Sequence, residues 1–161
     1  TLRGMEACTT EGAPGVAEAA AAESLAADDP SRAERLGAAC DLGNPCASHA
    51  LAVALESGTG VTADPVRARS LYEGACDREL PQACWRLALV VRDGIGGDAD
   101  PTRARTLLDG ACGAGTAAAC VDAAMRDEAS GERDAIVRAL ELMAPLCDLG
   151  PIWCHRTADR M

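Results

Sequence analysis

The chain has 161 residues, 48% of them apolar, with 15 cations against 25 anions and a formal charge of −10. That length suits one globular domain or an array of about three to five small repeats. The acidity leaves nothing to neutralise phosphates, which speaks against nucleic acid and anionic membrane surfaces as partners, and no apolar run reaches the roughly 18 residues of a spanning helix.

Every cation is arginine, and the chain has no Phe, one Tyr and two Trp. A core with so few rings has to be made by close helix contacts through alanine and leucine. The N-terminus carries no basic and then apolar signal pattern, and the chain, beginning at Thr1 without a methionine, reads as a processed or trimmed product, which is compatible with a removed signal peptide.

Residues 1–15 are rich in Gly, Thr and Pro and carry Cys8, which looks unpaired. They are expected to be a poorly ordered segment or the remnant of a preceding repeat. From Val16 to Leu25 half of the residues are alanine, a composition that favours helix. Asp29-Pro30 then opens a second helix, carrying Arg32, Ala33 and Leu36 and closing at Cys40.

The strongest pattern lies further on. Gly58 to Cys84 returns 36 residues later as Gly94 to Cys120, with Asp64-Pro65 matched by Asp100-Pro101 and Cys76 and Cys84 by Cys112 and Cys120. A fixed period of this size is the signature of a solenoid. Asp before Pro is a helix start: the carboxylate accepts from free amides of the first turn, and Pro at the first helical position loses no bond. Ala68, Leu71, Tyr72 and Ala75, and their counterparts Ala104, Leu107, Leu108 and Ala111, then fall at helical spacing. Before each Asp-Pro stands another helix with one apolar face, Leu51, Ala52 and Leu55 in one copy and Leu87, Ala88 and Val91 in the next. Glycine turns at Gly58–Gly60 and Gly94–Gly97 join the two.

The unit is therefore helix, glycine turn, helix. The fold expected is an all-α superhelix, an α/α solenoid of about four repeats over residues 16–161, with units near 16–43, 44–79, 80–115 and 116–150. The fourth is degenerate, with a second helix over Ala135–Cys147 that Pro145 bends, and residues 151–161 form a partial capping helix.

Eight of the nine cysteines fall into near neighbours: Cys40–Cys46, Cys76–Cys84, Cys112–Cys120 and Cys147–Cys154. On one unbroken helix Cys76 and Cys84 would lie about 12 Å apart, too far for a disulfide, which tolerates at most about 7 Å between Cα atoms. Each interval holds a turn former, however, so the chain reverses and the pairs can meet. Four local disulfides are expected, each closing about nine residues and contributing about 2.5 kcal/mol, with Cys8 left as a free thiol because Val16 stands where a partner would be. Zinc is the competing reading, but the spacings are longer than zinc knuckles and only His49 and His155 could add nitrogen ligands, so no metal is expected. Paired thiols point to an oxidising compartment: periplasmic, extracellular or cell-surface.

The pattern GxGVxxDPxRARxLYExAC over Gly58–Cys76, with Cys84-Trp85-Arg86-Leu87-Ala88 after it, resembles the Sel-like repeat, a relative of the tetratricopeptide repeat. The paired cysteines resemble its cysteine-rich secreted bacterial branch. The resemblance covers about residues 16–161 and is strongest over 46–120. It implies a right-handed superhelix of helix pairs that binds proteins or peptides. The chain departs from the pattern at Ala88, where glycine is common, at Val91, where an aromatic is common, and in the short turn Ala26–Asp29.

Some cysteine-rich members of that branch are described as penicillin-binding or weak β-lactamases. Without lysine this chain can hold neither an SxxK nor a KTG motif, and two distant histidines do not make a hydrolytic metal site. No catalytic residue and no cofactor are assigned.

Equivalent positions of successive repeats usually carry recognition. Stacking the first helices by register puts His49, Trp85, Val121 and His155 in one column, with Val53, Leu89 and Met125 one turn on and Glu56, Arg92 and Glu128 beyond. This face varies while the Leu/Ala face stays constant, which marks His49, Val53, Trp85, Leu89, Arg92, Val121, Met125 and His155 as a candidate concave binding surface. The plainer alternative is that Trp85 packs on the neighbouring repeat and the histidines are ordinary surface residues. Tyr72 reads as core. The function expected is a non-enzymatic protein- or peptide-binding scaffold, monomeric and outside the cytoplasm. A β-lactam- or peptidoglycan-directed hydrolase and a structural spacer are the alternatives.

Overall fold

A computed structural model describes Cys8 and residues 13–130, with side chains as far as Arg126. Among these residues there are seven helices and no strand: α1 Val16–Glu23, α2 Pro30–Asp41, α3 Pro45–Ser57, α4 Pro65–Asp77, α5 Pro81–Arg92, α6 Pro101–Gly113 and α7 Ala117–Ser130. Each packs mainly on the helix before it and the helix after it. The architecture is an all-α solenoid of helix pairs.

The helices begin where their capping chemistry places them. Asp64 accepts from the Arg67 amide at 3.0 Å and Asp100 from the Arg103 amide at 2.9 Å. Asp29 accepts from the Ser31 amide at 2.9 Å, and Asn44 from the Ala47 amide at 3.0 Å. Five helices also start on Pro, whose missing amide costs no bond there and whose φ is already helical.

The core is a set of stripes repeated every 36 residues. The second helix of each pair buries Leu36, Tyr72 or Leu108 and, less than a turn on, Ala39, Ala75 or Ala111. The first helix buries Leu51 or Leu87 beside Ala52, Ala88 or Ala124. Alanine at the contact lets helices approach to the short end of the usual range of about 8–10 Å, and each buried leucine contributes about 2 kcal/mol. Tyr72 is the one ring in the stripe and is fully buried.

The turns repeat as well. Within a pair, the amide of Asp64 donates to Leu55 O and that of Asp100 to Val91 O, which ties the loop to the first helix. Gly96 has φ +71°, and a Cβ there would overlap the Pro65 carbonyl oxygen of the preceding repeat. Only glycine permits so close an approach between loops. Between pairs, the left-handed position is occupied by Gly43, Glu79 and Gly115, at φ +91°, +60° and +93°.

The disulfides differ from the sequence expectation at the first turn. Cys76–Cys84 and Cys112–Cys120 are bonded, with Cα atoms 4.7 and 4.6 Å apart. Cys40–Cys46 is not formed: Cys46 is bonded to Cys8, 38 residues away, with Cα atoms 5.5 Å apart. Cys8 is therefore not a free thiol, and Cys40 is the free cysteine among the described residues.

Register explains the difference. Counting by 36, Cys40 matches Cys76 and Cys112, but the match to Cys84 and Cys120 is Ser48, and Cys46 matches Gln82 and Ala118. Two positions on a helix are about 200° of rotation, so Cys46 points away from Cys40. The expected Cys147–Cys154 pair lies outside the described residues, as do Pro145 and the second helix over 135–147.

Candidate functional site

The column read from the sequence is carried by α3, α5 and α7. His49, Trp85 and Val121 are each half-buried, as are Val53 and Leu89 one turn on, whereas Met125 in the third copy is exposed. His155 and the Glu128 side chain lie outside the described residues.

Trp85 links two repeats. Its indole Nε1–H donates to Asp122 Oδ2 at 2.6 Å, and its ring packs on the cluster that holds Ala88, Leu108 and the Cys112–Cys120 bridge. The Arg86 guanidinium lies 5.0 Å from the ring centroid, within cation–π range. One edge of Trp85 thus belongs to the packing between repeats, and the remainder is available at the surface.

His49 is less exposed than a surface residue. Its ring lies 5.8 Å from that of Tyr72, tilted by 56°, and its Nε2 is buried without a hydrogen-bond partner. Burial lowers its pKa, the Arg86 charge lowers it further, and Glu56 opposes both. The Tyr72 hydroxyl donates to Glu56 Oε2 at 2.7 Å. Burial and that bond hold the Tyr72 proton well beyond the usual phenol range.

Arg92 is occupied by its neighbour. Its Nε and terminal nitrogen donate to the two Asp93 carboxylate oxygens at 2.7 and 2.9 Å. The pairing pushes the Arg92 pKa up and the Asp93 pKa down. Two other arginines act between repeats. Arg69 donates to Asp98 O at 3.0 Å, and Arg103 pairs with Glu73 at 3.0 Å.

Among the described residues no three His, Cys, Asp or Glu side chains come together as metal ligands, and no helix is long and apolar enough to cross a membrane. Two residues that the column reading missed stand beside it. Asp122 receives the Trp85 indole, and Arg32, one turn before Leu36 on α2, lines the cavity that His49 also lines. Arg32 would have been found by counting back 36 residues from Ala68 instead of forward from Asp29-Pro30.

Helix pairs at a fixed period, loops sealed by glycine and cysteines at the turn are the features a family comparison has to match. Residues 47–79 and 81–115 match the Sel1 repeat. These two stretches of the chain are Sel1 repeats.

Its solenoid is similar to that of a protective antigen of uropathogenic Escherichia coli with an SLR fold, at 18% identity and a TM-score of 0.71 over 80% of this chain and 29% of that one. It is also similar to a Sel1 repeat protein from Oxalobacter formigenes, at 25% identity and 0.65, covering 69% of this chain and 34% of that one. Cysteine-rich protein B of Helicobacter pylori aligns at 26% identity and 0.53, over 56% of this chain and 68% of that one. The chain thus spans about a third of the length of the first two. No curated protein sequence matches it.

Proposed function

We propose that this Sel1-repeat protein is a non-enzymatic scaffold that binds a protein or peptide along the row His49, Val53, Trp85, Leu89, Val121 and Met125, in an oxidising compartment outside the cytoplasm. The observation that carries the reading is Met125, which is 50% exposed while the equivalent Val53 and Leu89 are half-buried. A large flexible thioether left open at the end of an otherwise packed apolar row suits contact with a partner side chain. Arg92, engaged with Asp93, lies at the rim.

The compartment is argued from the cysteines. Three bridges among the described residues persist only where thiols are not kept reduced, and the similarity to a cysteine-rich Helicobacter protein agrees with that. The absence of lysine from the chain removes the usual partner of a β-lactam-reactive serine.

The test is crosslinking and mass spectrometry with immobilised full chain in native envelope extract, comparing Met125→Asp with Val66→Asp. Both residues are exposed, at 50% and 65%, but Val66 sits on a second helix, away from the row. Loss of capture in Met125→Asp alone supports the row. Loss in Val66→Asp alone moves the site to the other helices.

A further inference from the structure

Arg32 stands where a Sel1 repeat of this chain otherwise keeps a buried alanine. Leu36 and Ala39 match Tyr72 and Ala75 at 36 residues, so one turn back along the same stripe Arg32 matches Ala68 and Ala104, which are 1% and 2% exposed. Arg32 is itself half-buried. Among the described residues its guanidinium has no hydrogen-bond or ion-pair partner, whereas Arg69, Arg92, Arg103 and Arg126 all have acidic partners. A partly exposed guanidinium set in an apolar stripe can take an anion through its fork of donors.

Arg32 borders two cavities that share it and Ala50. One, of about 200 Å³, lies against the Cys8–Cys46 bridge. The other, of about 360 Å³, is floored by Ala50, Val53 and Ala54 and flanked by His49, Ser57 and Thr59. The hydroxyls there are already bonded: Ser57 donates to Val53 O at 2.9 Å and meets Thr59 Oγ1 at 2.8 Å. Arg32 is the charged side chain that lines this cavity, while His49 Nε2 is buried behind its own ring without a partner.

The charges nearby limit what can bind. Glu23 lines the smaller cavity, Glu56 on α3 is held by Tyr72 of α4, and Arg86 of α5 lies near enough to act on His49. In a chain of charge −10, one guanidinium and one neutral imidazole favour a monoanion over a phosphate dianion. A planar carboxylate fits the guanidinium fork through two parallel bonds. The two cavities share Arg32 and Ala50 as lining residues, so there is room on both sides of the guanidinium, which suits a side-chain carboxylate better than a chain end.

We infer that the larger cavity seats the carboxylate of an acidic side chain in a bound peptide, gripped by Arg32 beside the half-buried ring of His49, with small apolar neighbours on the alanine floor. The inference rests on the scaffold reading above and specifies the ligand chemistry of its first repeat.

The test is NMR titration of the full chain with two blocked tripeptides, N-acetyl-Ala-Glu-Ala-amide and N-acetyl-Ala-Gln-Ala-amide. A His155→Gln background leaves His49 as the single imidazole. The glutamate peptide should move the His49 ring signals and raise their titration midpoint, and the glutamine peptide should bind at least about tenfold more weakly, the usual value of a charge-assisted bond. Arg32→Ala, which installs the residue of the other repeats, should lose the same factor without lowering the thermal midpoint. Equal binding of the two peptides, or unchanged affinity in Arg32→Ala, overturns the site. Shifts confined to the Trp85 indole and the Met125 methyl overturn the site and keep the scaffold reading. No shift at either place overturns both.

Discussion

Cys40 faces Ser48 across the turn between α2 and α3, at the place where the next two repeats have a disulfide. Burial raises the Cys40 pKa above the usual value, and the Ser48 hydroxyl is close enough to the thiol to oppose that rise. The first turn thus keeps the geometry of a staple without its second sulfur.

Ser48→Cys should therefore close a third local bridge with Cys40. The loop would hold about nine residues, worth about 2.5 kcal/mol in the loop-entropy account, less about 1 kcal/mol for the bond that Ser48 gives to Asn44 O. Peptide mapping without reductant should recover a peptide in which Cys40 is joined to the introduced cysteine, and the thermal midpoint should rise by several degrees. A free Cys40 in that variant would show that the turn is more open than in the repeats that follow.

The Cys8–Cys46 bridge makes the opposite prediction for the native cysteines. It encloses about 39 residues, for which the same account gives about 4 kcal/mol. Cys8→Ser and Cys46→Ser should each lower stability by a few kcal/mol in denaturant unfolding, and Cys40→Ser should change it little. Were the local Cys40–Cys46 pair the real one, Cys40→Ser and Cys46→Ser would be equally damaging and Cys8→Ser neutral.

The periodic part of this molecule was legible because one interval governs everything in it. Asp64 and Asp100 cap, Tyr72 and Leu108 pack, and Cys76–Cys84 recurs as Cys112–Cys120, all 36 residues apart. What the spacing could not show is where the interval fails. Cys40 and Cys46 are near in sequence, but six residues instead of eight place the second sulfur on another side of α3. Arg32 was hidden the same way, because Asp29-Pro30 starts α2 one residue late relative to the core and aligns Arg32 with Arg67 by the cap but with Ala68 by packing. Trp85 was found in the sequence as a candidate contact, yet its bond to Asp122 joins residues 37 apart in a geometry that no periodicity reports.

Glu79 offers a test of the repeat logic at the backbone. It is the non-glycine residue with positive φ among the described residues, at +60°, where Gly43 and Gly115 occupy the matching turns. The left-handed conformation costs an L residue about 1–2 kcal/mol, and glycine gives back part of that through the freedom of its unfolded chain. Glu79→Gly should raise stability by about 0.5–1 kcal/mol, read as a higher denaturant midpoint at unchanged slope. Glu79→Ala should not, because it keeps the Cβ that creates the strain.

His49 makes stability depend on pH in the mildly acidic range. Its folded-state pKa is depressed by burial and by Arg86 of α5, with Glu56 of its own helix opposing and the Tyr72 hydroxyl of α4 tied to Glu56. Arg32 lines the same cavity. Between the depressed value and the unfolded value near 6.5, the unfolded chain binds a proton that the folded chain does not. Stability is therefore complete above about pH 6.5 and falls as pH drops through that window, levelling once it passes the folded pKa. Carboxylates elsewhere also titrate as the solution becomes more acidic, so the informative quantity is the difference between the native chain and His49→Gln. Urea midpoints measured from pH 7.5 down to pH 5 should converge, with the native chain losing stability that the glutamine variant keeps. Parallel curves would mean that the imidazole takes up its proton in the folded state as readily as in the unfolded one, with water reaching the Nε2 that the packing of α3 against α4 closes off.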